Sequence, residues 1–551
     1  MRRKTKKTVD LYTRSGTLGE PLKYVVPRVD TDPNAALNWP PDVFAIVASI
    51  LSRTGTYSCI CERWPPRKSL NDWCAGVTKL GKDWRASWRL GRQSQPQPEV
   101  LNWWEILKAR SDAQLAKVSS DEQLCHALLQ LAAAADEACL GIGIPPRKDD
   151  FEDYATLLLR GSANEPSTLC SGVIDSSKVR VLPKLHTPDN GLTIRSISHH
   201  LALVLVRDVD PVWRQAVIKD DARTLNVLLV PWPKRVLPDQ FQPAPSERMQ
   251  CASMPAEFGL FRYQPVEGKR EIIPFFRSLL DRAKRLVGGI DVVVIPELAI
   301  TPAQHEGVRD LLFRLGEDII LIAGVCGPAK TVRASTRNYI AIDIIRGKFH
   351  FGYIQRKHHR WRLDRSQIVQ YGLGGNLSPT RPTTSGWWED CEMGDRRLLF
   401  VSISSWLTFC ALLCEDLARQ DPVAEVIRSV GPNLVVALLM DGPQLPSRWP
   451  GRYASVLADD PGCSVLTLTS AGMMRLSRPP VGTQASNAVA LWKDARRKEA
   501  VPIELPFDSD GVVLSLAGDR FEEFTADGRR DDAMAAFPIL AGVHPVRSSA
   551  D

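Results

Sequence analysis

Val292-Val-Val-Ile-Pro-Glu297 is a run of four apolar residues, three of them valine, closed by proline and a carboxylate. Such a short run bounded by a breaker reads as a fully buried β-strand. Thr301-Pro302 follows, an N-cap residue with proline at the first helical position, so a helix is expected next. The same grammar occurs twice more downstream. Gly347-Lys-Phe-His-Phe-Gly-Tyr-Ile-Gln-Arg-Lys357 reads as a turn and a strand closing on a lysine. Phe409-Cys-Ala-Leu-Leu-Cys414-Glu-Asp-Leu417 is an apolar strand closing on a cysteine. After it, Asp421-Pro422 is expected to open a helix that Gly431 stops. Strand ends beside helix starts are where α/β proteins place ligands.

Working outward, further strands are expected at 226–230, 318–323, 339–345, 349–354, 398–403, 434–439 and 464–468, with a helix over about 273–286. Short β-rich runs alternating with amphipathic helices make residues 222–545 an α/β domain. At 551 residues the chain exceeds one ordinary core, which rarely passes ~300 residues. What precedes residue 222 is therefore a separate matter. Residues 1–38 read as an irregular basic segment, with Arg2, Arg3, Lys4, Lys6 and Lys7 in a solvated tail. Residues 39–215 form an accessory region, Trp-rich and mainly helical, of unassigned fold. Seven of the fifteen tryptophans fall between Trp39 and Trp104, and large aromatics anchoring a small helical core is the favoured reading. Ser120-Asp-Glu-Gln123 has capping-box spacing before an Ala- and Leu-rich helix expected over 124–140. The neighbours His199 and His200 point in different directions and do not make a metal pair.

Composition narrows the class. The apolar fraction is 44% and the charged fraction 24%, ordinary for a globular protein. No apolar run approaches the ~18–20 residues of a membrane-spanning helix, and the basic start lacks a secretory apolar stretch. A cytoplasmic protein without a membrane partner is expected. Its twelve cysteines are then expected to be reduced thiols. Cys59-x-Cys61 with Cys74 lacks the second ligand pair of a zinc site, and no metal is expected. Phosphate-binding loops, His-Glu-x-x-His and Gly-x-Ser-x-Gly patterns are absent from the sequence.

Each strand end alone is weak, but their order is informative. Val294-Ile-Pro-Glu297, Tyr353-Ile-Gln-Arg-Lys357-His358 and Leu412-Leu-Cys414-Glu-Asp416 resemble the three motifs of the carbon–nitrogen hydrolase, or nitrilase, superfamily. Ala323-Gly324, the stretch from Asn338 to Gly352, and Ser470-Ala-Gly472 fit secondary features of that family. The resemblance covers about residues 222–520 and implies a four-layer α-β-β-α sandwich. It implies Glu297 as general base, Lys357 as the ammonium facing an oxyanion together with the backbone N–H of Glu415, and Cys414 as nucleophile. Asp416 is expected to balance charge or start a helix. Cys-Glu-Asp-Leu is nearer the glutaminase domains of NAD synthetases than true nitrilases, which favours amide over nitrile hydrolysis.

The family's usual second glutamate has no obvious counterpart after Lys357. Gln370 or Asp364 would have to substitute, or Glu389 or Glu392 would enter from a loop. The function expected is amidase-type hydrolysis of a small-molecule amide through a thioester, without a cofactor, by a homo-oligomer. The alternatives are a catalytically weak scaffold of the same fold, or a nucleic-acid-associated defence effector. In the latter, the N-terminal region would bind a protein or nucleic-acid partner.

Overall fold

A computed structural model describes residues 16–20 and 33–548, apart from 63, 65–69, 88–95, 144–166, 190, 207, 217–223, 247–254, 256, 266–268, 328–336, 378–385, 395, 478–484 and 532–534. The basic residues at positions 2–7 lie outside that set. The strands are, in order, β1 (Val179–Pro183), β2 (Leu201–Leu205), β3 (Asp210–Gln215), β4 (Thr224–Leu229), β5 (Phe241–Pro243), β6 (Phe258–Tyr263) and β7 (Val292–Ile300). Then come β8 (Ile319–Cys326), β9 (Asn338–Arg346), β10 (Phe349–Arg356), β11 (Arg362–Leu363), β12 (Gly386–Glu389) and β13 (Arg397–Ser404). The last are β14 (Leu407–Leu413), β15 (Leu434–Leu439), β16 (Ser464–Thr469), β17 (Ala488–Lys493), β18 (Val501–Glu504), β19 (Gly511–Arg520) and β20 (Ala536–Val546).

Two seven-stranded sheets form, one ordered β10-β9-β8-β7-β4-β19-β20 and the other β18-β17-β16-β15-β14-β13-β3. Their central strands, such as β7, β8, β14, β15 and β16, are buried along their whole length, because each sheet has something to cover on either side. Val292 and Val294 of β7 meet Phe409, Ala411 and Leu413 of β14 in the core between the sheets. Val293 and Ile295 point the other way, onto Phe276, Leu279 and Leu280 of the helix Lys269–Val287 and Val308 and Leu312 of the helix Pro302–Leu315. On the second sheet, Cys410 and Leu412 pack against Val426 and Ile427 of the helix Val423–Val430 and Leu457 of the helix Trp449–Asp459. The alternation of side chains along each strand thus builds a four-layer α-β-β-α sandwich. A four-stranded sheet, β11-β12-β6-β5, carries a further cluster that includes Phe241, Phe261, Leu298, Trp361, Tyr371 and Met440.

Before the sandwich lie the helices Pro40–Thr54, Leu70–Ala86, Pro98–Ala109 and Glu122–Glu137. Trp64, Trp84 and Trp104 are buried in their shared core, so these rings serve packing. No described helix is long and apolar enough to cross a membrane.

Four local expectations are corrected. The last of these helices is capped by Asp121, whose carboxylate accepts from Leu124 N–H at 3.0 Å, while Ser120 hydroxyl donates to Lys117 carbonyl. It also stops at Glu137, short of residue 140. A carboxylate is as good a cap as a hydroxyl, and the one residue nearer the helix took the role. The helix after Asp421-Pro422 begins at Val423, with Pro422 in the cap position, and ends at Gly431 with φ 63°. Finally, residues 210–215 are not separate from the sandwich: β3 runs parallel to β13, with Asp210 opposite Arg397 and Gln215 opposite Ser402.

Candidate active site

The three strand ends converge because the sheets are tied at that point. Gln355, on β10, reaches across to the second sheet, donating to Ala411 carbonyl at 2.7 Å and accepting from Leu399 N–H at 3.0 Å. This places the residue two positions on, Lys357, over the end of β14. On β7, the pairing with β8 is regular to Ile295 and resumes only at Ile300. Glu297 sits in that irregular stretch, next to Leu298 with φ 52°. Gly324 makes the bulge possible, since a side chain there would run into Pro296 carbonyl and Glu297 Cα.

Lys357 is fully buried between two carboxylates. Its ammonium donates to Glu297 Oε1 at 2.8 Å and to Glu389 Oε2 at 2.6 Å. Asn338 Nδ2 bridges the same two acids, donating to Glu297 Oε1 at 2.7 Å and Glu389 Oε1 at 2.6 Å. Glu389 also accepts from Trp361 N–H at 3.1 Å. Glu297 Oε2 has no hydrogen-bond partner among the described residues. Burial alone would lower the Lys357 ammonium, but the Glu297 and Glu389 charges outweigh it and hold it well above its ordinary value. Burial raises the Glu297 carboxyl, opposed by Lys357 and reinforced by Glu389.

Cys414 stands at the turn from β14 into the short helix Glu415–Ala418, with φ 44° and ψ −101°. It and Leu298 are the non-glycine residues at positive φ among the described ones, and both border this site. An L-residue there is strained, by ~1–3 kcal/mol, and persists only where its surroundings over-determine it. Here Cys414 N–H donates to Leu438 carbonyl at 2.9 Å, fixing the turn to β15. Burial pushes the thiol well above its ordinary value; Glu297 adds to the rise and Lys357 opposes it. Burial thus favours the thiol over the thiolate at Cys414. Glu415 opens the helix, so its N–H has no intrahelical carbonyl to bind.

Asp416 is buried, and its role is to hold backbone. It accepts from His358 N–H at 3.1 Å, and its Oδ1 accepts from His359 N–H at 2.9 Å and lies 3.0 Å from His359 Nδ1. The turn after Cys414 thereby grips the turn after Lys357, which ties nucleophile and ammonium together.

Glu297, Lys357, Cys414 and Glu415 thus share one place. Of the four residues considered for a second acid, Glu389 is the one on Lys357, and it enters from the end of β12 rather than from a loop. Asp364 caps the helix Arg365–Gln370, accepting from Gln367 N–H. Gln370 donates to Ser477 hydroxyl at 2.9 Å, and Glu392 lies 3.7 Å from Arg356. Asn338 was not assigned a role from sequence. A signal for Glu389 existed: Gly386-Trp-Trp-Glu389 is a short aromatic strand ending in a carboxylate, the same grammar as Glu297. No group of His, Cys, Asp or Glu among the described residues has a metal-binding arrangement.

No family model matches the sequence, and no curated protein matches it. Among solved structures, the chain is similar to Saccharomyces cerevisiae Nit3, described as a member of branch 10 of the nitrilase superfamily. The identity is 13%, covering 54% of this chain and 93% of that one, with a TM-score of 0.30. A carbon–nitrogen hydrolase from Helicobacter pylori G27 shows 11% identity over 59% of this chain and 88% of that one, TM-score 0.27. The C. elegans NitFhit protein shows 11% identity over 53% and 61%, TM-score 0.29.

Proposed function

We propose that the sandwich is a carbon–nitrogen hydrolase domain of the nitrilase type, cleaving an amide through a thioester on Cys414. The observation that carries this reading is Lys357, locked between two buried carboxylates beside a cysteine on a strained strand-to-helix turn. Amide carbons are poor electrophiles, and a thiolate is the strongest nucleophile a side chain supplies near neutral pH. Glu297 Oε2, free of donors, takes the thiol proton as sulfur attacks. The developing oxyanion meets the Lys357 ammonium and the Glu415 N–H. The C–N bond then breaks, and Glu297 returns the proton to the departing amine. Water, activated by Glu297, cleaves the thioester and restores the thiol. Glu389 does not touch the reacting atoms; it keeps Lys357 charged and in place.

The test is ammonia release from a panel of primary amides and nitriles, comparing wild type with Cys414→Ala. Release by wild type alone, with a covalent adduct on Cys414 by mass spectrometry, is the expected result. No release from any compound and no adduct would overturn the reading.

A further inference from the structure

Two buried carboxylates in this corner of the molecule each keep one oxygen without a donor among the described residues. One is Glu297 Oε2, which the hydrolase reading uses. The other is Asp441 Oδ2. Asp441 is 4% exposed, and its Oδ1 already accepts from Tyr371 hydroxyl at 2.6 Å and Arg448 Nη2 at 2.7 Å. Thr469 hydroxyl accepts from Asp441 N–H at 3.3 Å and donates to Asp441 carbonyl at 2.6 Å, which fixes the backbone. The side chain is thus held from one side with an unused acceptor on the other.

That acceptor is near the nucleophile. The Asp441 charge acts on the Cys414 thiol. β14 and β15 run parallel with Leu413 opposite Leu438, so Asp441 lies two residues beyond the level of Cys414. Extending the ladder at ~3.3 Å per residue and ~4.8 Å between strands puts the two Cα atoms on the order of 8 Å apart. A short acyl chain spans that gap. The chemistry of Asp441 points to the sign of its far end. Arg448 meets Asp441 through Oδ1, so the bare Oδ2 is an anionic acceptor, for which a charged N–H donor makes the stronger hydrogen bond. A buried acceptor left bare costs ~1–3 kcal/mol, which a bound N–H donor recovers.

Resting on the amidase reading, we propose that the acyl part of the substrate carries a primary ammonium, received by Asp441 Oδ2 a few bonds from the carbonyl that Cys414 attacks. Asp441 is then the specificity-determining residue. Tyr371 and Arg448 position it.

The experiment compares γ-aminobutyramide with its uncharged isostere valeramide, and δ-aminovaleramide with caproamide, by ammonia release from the full chain. Wild type is expected to favour the charged member of at least one pair by on the order of 30-fold in kcat/KM, the worth of one charged hydrogen bond. Asp441→Asn is expected to shrink that ratio to within about 3-fold. Equal use of both members by wild type, which needs no variant, overturns the proposal; so does an unchanged ratio in Asp441→Asn. If no amide is turned over, the hydrolase reading fails by itself, and the proposal is then read by calorimetry. Binding of γ-aminobutyramide to Cys414→Ala that Asp441→Asn abolishes supports it, and absence of binding to Cys414→Ala overturns it.

Discussion

Glu389 does its work through Lys357, and its removal separates that role from proton transfer. Its charge raises both the Lys357 ammonium and the Glu297 carboxyl. Replacing it with glutamine, which keeps the shape and loses the charge, lowers both. For a rate that needs ionised Glu297 and protonated Lys357, the acid and alkaline limbs of the pH profile both move to lower pH in Glu389→Gln. The rate constant kcat is expected to fall by about 10–100-fold, since an electrostatic group aimed at developing charge weakens. A loss of activity with both limbs unmoved would leave Glu389 a purely structural residue. At this scale the sequence was informative where a reactive side chain closes an apolar strand, as Glu297, Lys357 and Cys414 do. Glu389 was harder because its strand is four residues long and stands 32 positions from Lys357. Asp441 follows the same pattern, one residue past Met440 after the apolar run of β15, but no motif accompanies it to mark it in the sequence.

Among the elements, the irregular end of β7 decides where Glu297 points, and Gly324 on β8 permits it. A methyl group there would stand 2.7 Å from Pro296 C and overlap its carbonyl oxygen and Glu297 Cα. Both neighbours are backbone and cannot swing aside. Gly324→Ala is therefore expected to displace Glu297, lowering activity by more than about 100-fold, because sub-ångström placement governs such chemistry. It should also destabilise the protein by about 1–3 kcal/mol, as overpacking does; normal activity would show that β7 yields freely. A second element-scale test concerns the helix Pro40–Thr54. Asp42 accepts from Ser171 N–H at 2.8 Å and from Ser171 hydroxyl, yet burial outweighs these bonds and lifts its carboxyl from 3.8 to about 6. A raised carboxyl means the folded state binds a proton that the unfolded chain has released between those two values. Stability from this group is present below the lower value and is lost as pH rises through the upper one, by roughly 3 kcal/mol. Asp42→Asn should flatten that part of the Tm-versus-pH curve, as calorimetry between the two pH values would show. The central strands of the sandwich, from β7 to β9 and from β13 to β16, were readable to within a few residues because they are largely apolar, whereas β3 and β17 to β20 were not expected as strands. β5, β6 and β12 were not, because they are short and cover the end of the sandwich rather than building its core.

At the scale of the whole molecule, the sequence suggested a boundary near residues 215–222, and the contacts cross it repeatedly. β3 is an edge strand of the second sheet, Leu185 N–H donates to Val430 carbonyl, and Arg195 forms a two-pronged pair with Asp460 at 2.5 and 3.1 Å. The deepest of these links is Arg529, fully buried. It donates to Asp136 at 3.1 Å, Glu137 at 2.8 Å, Ile197 carbonyl at 2.6 Å and Asp527 at 3.2 Å. Asp136 in turn receives the N–H groups of His199, His200 and Leu201 at 2.7, 2.9 and 3.0 Å. One residue from the far end of the chain thus satisfies the C-terminal end of the helix Glu122–Glu137 and the loop before β2. None of this could be read from sequence, because the partners lie as much as 393 positions apart and no periodicity marks them. Arg529→Met keeps the volume and leaves three acids buried without their cation. Breaking a buried pair in this way costs ~3–5 kcal/mol, and three acids on one cation put the expected loss at or above the top of that range. The location of the loss is the sharper prediction. If the helical region and the sandwich are one cooperative unit, calorimetry will show a single transition moved down as a whole. Two transitions, with only one shifted by Arg529→Met, would make the helical region a module that unfolds independently of the sheet it supplies with β3. A single transition would instead mean that whatever the helical region meets is felt by the sandwich, because the same buried charges hold both.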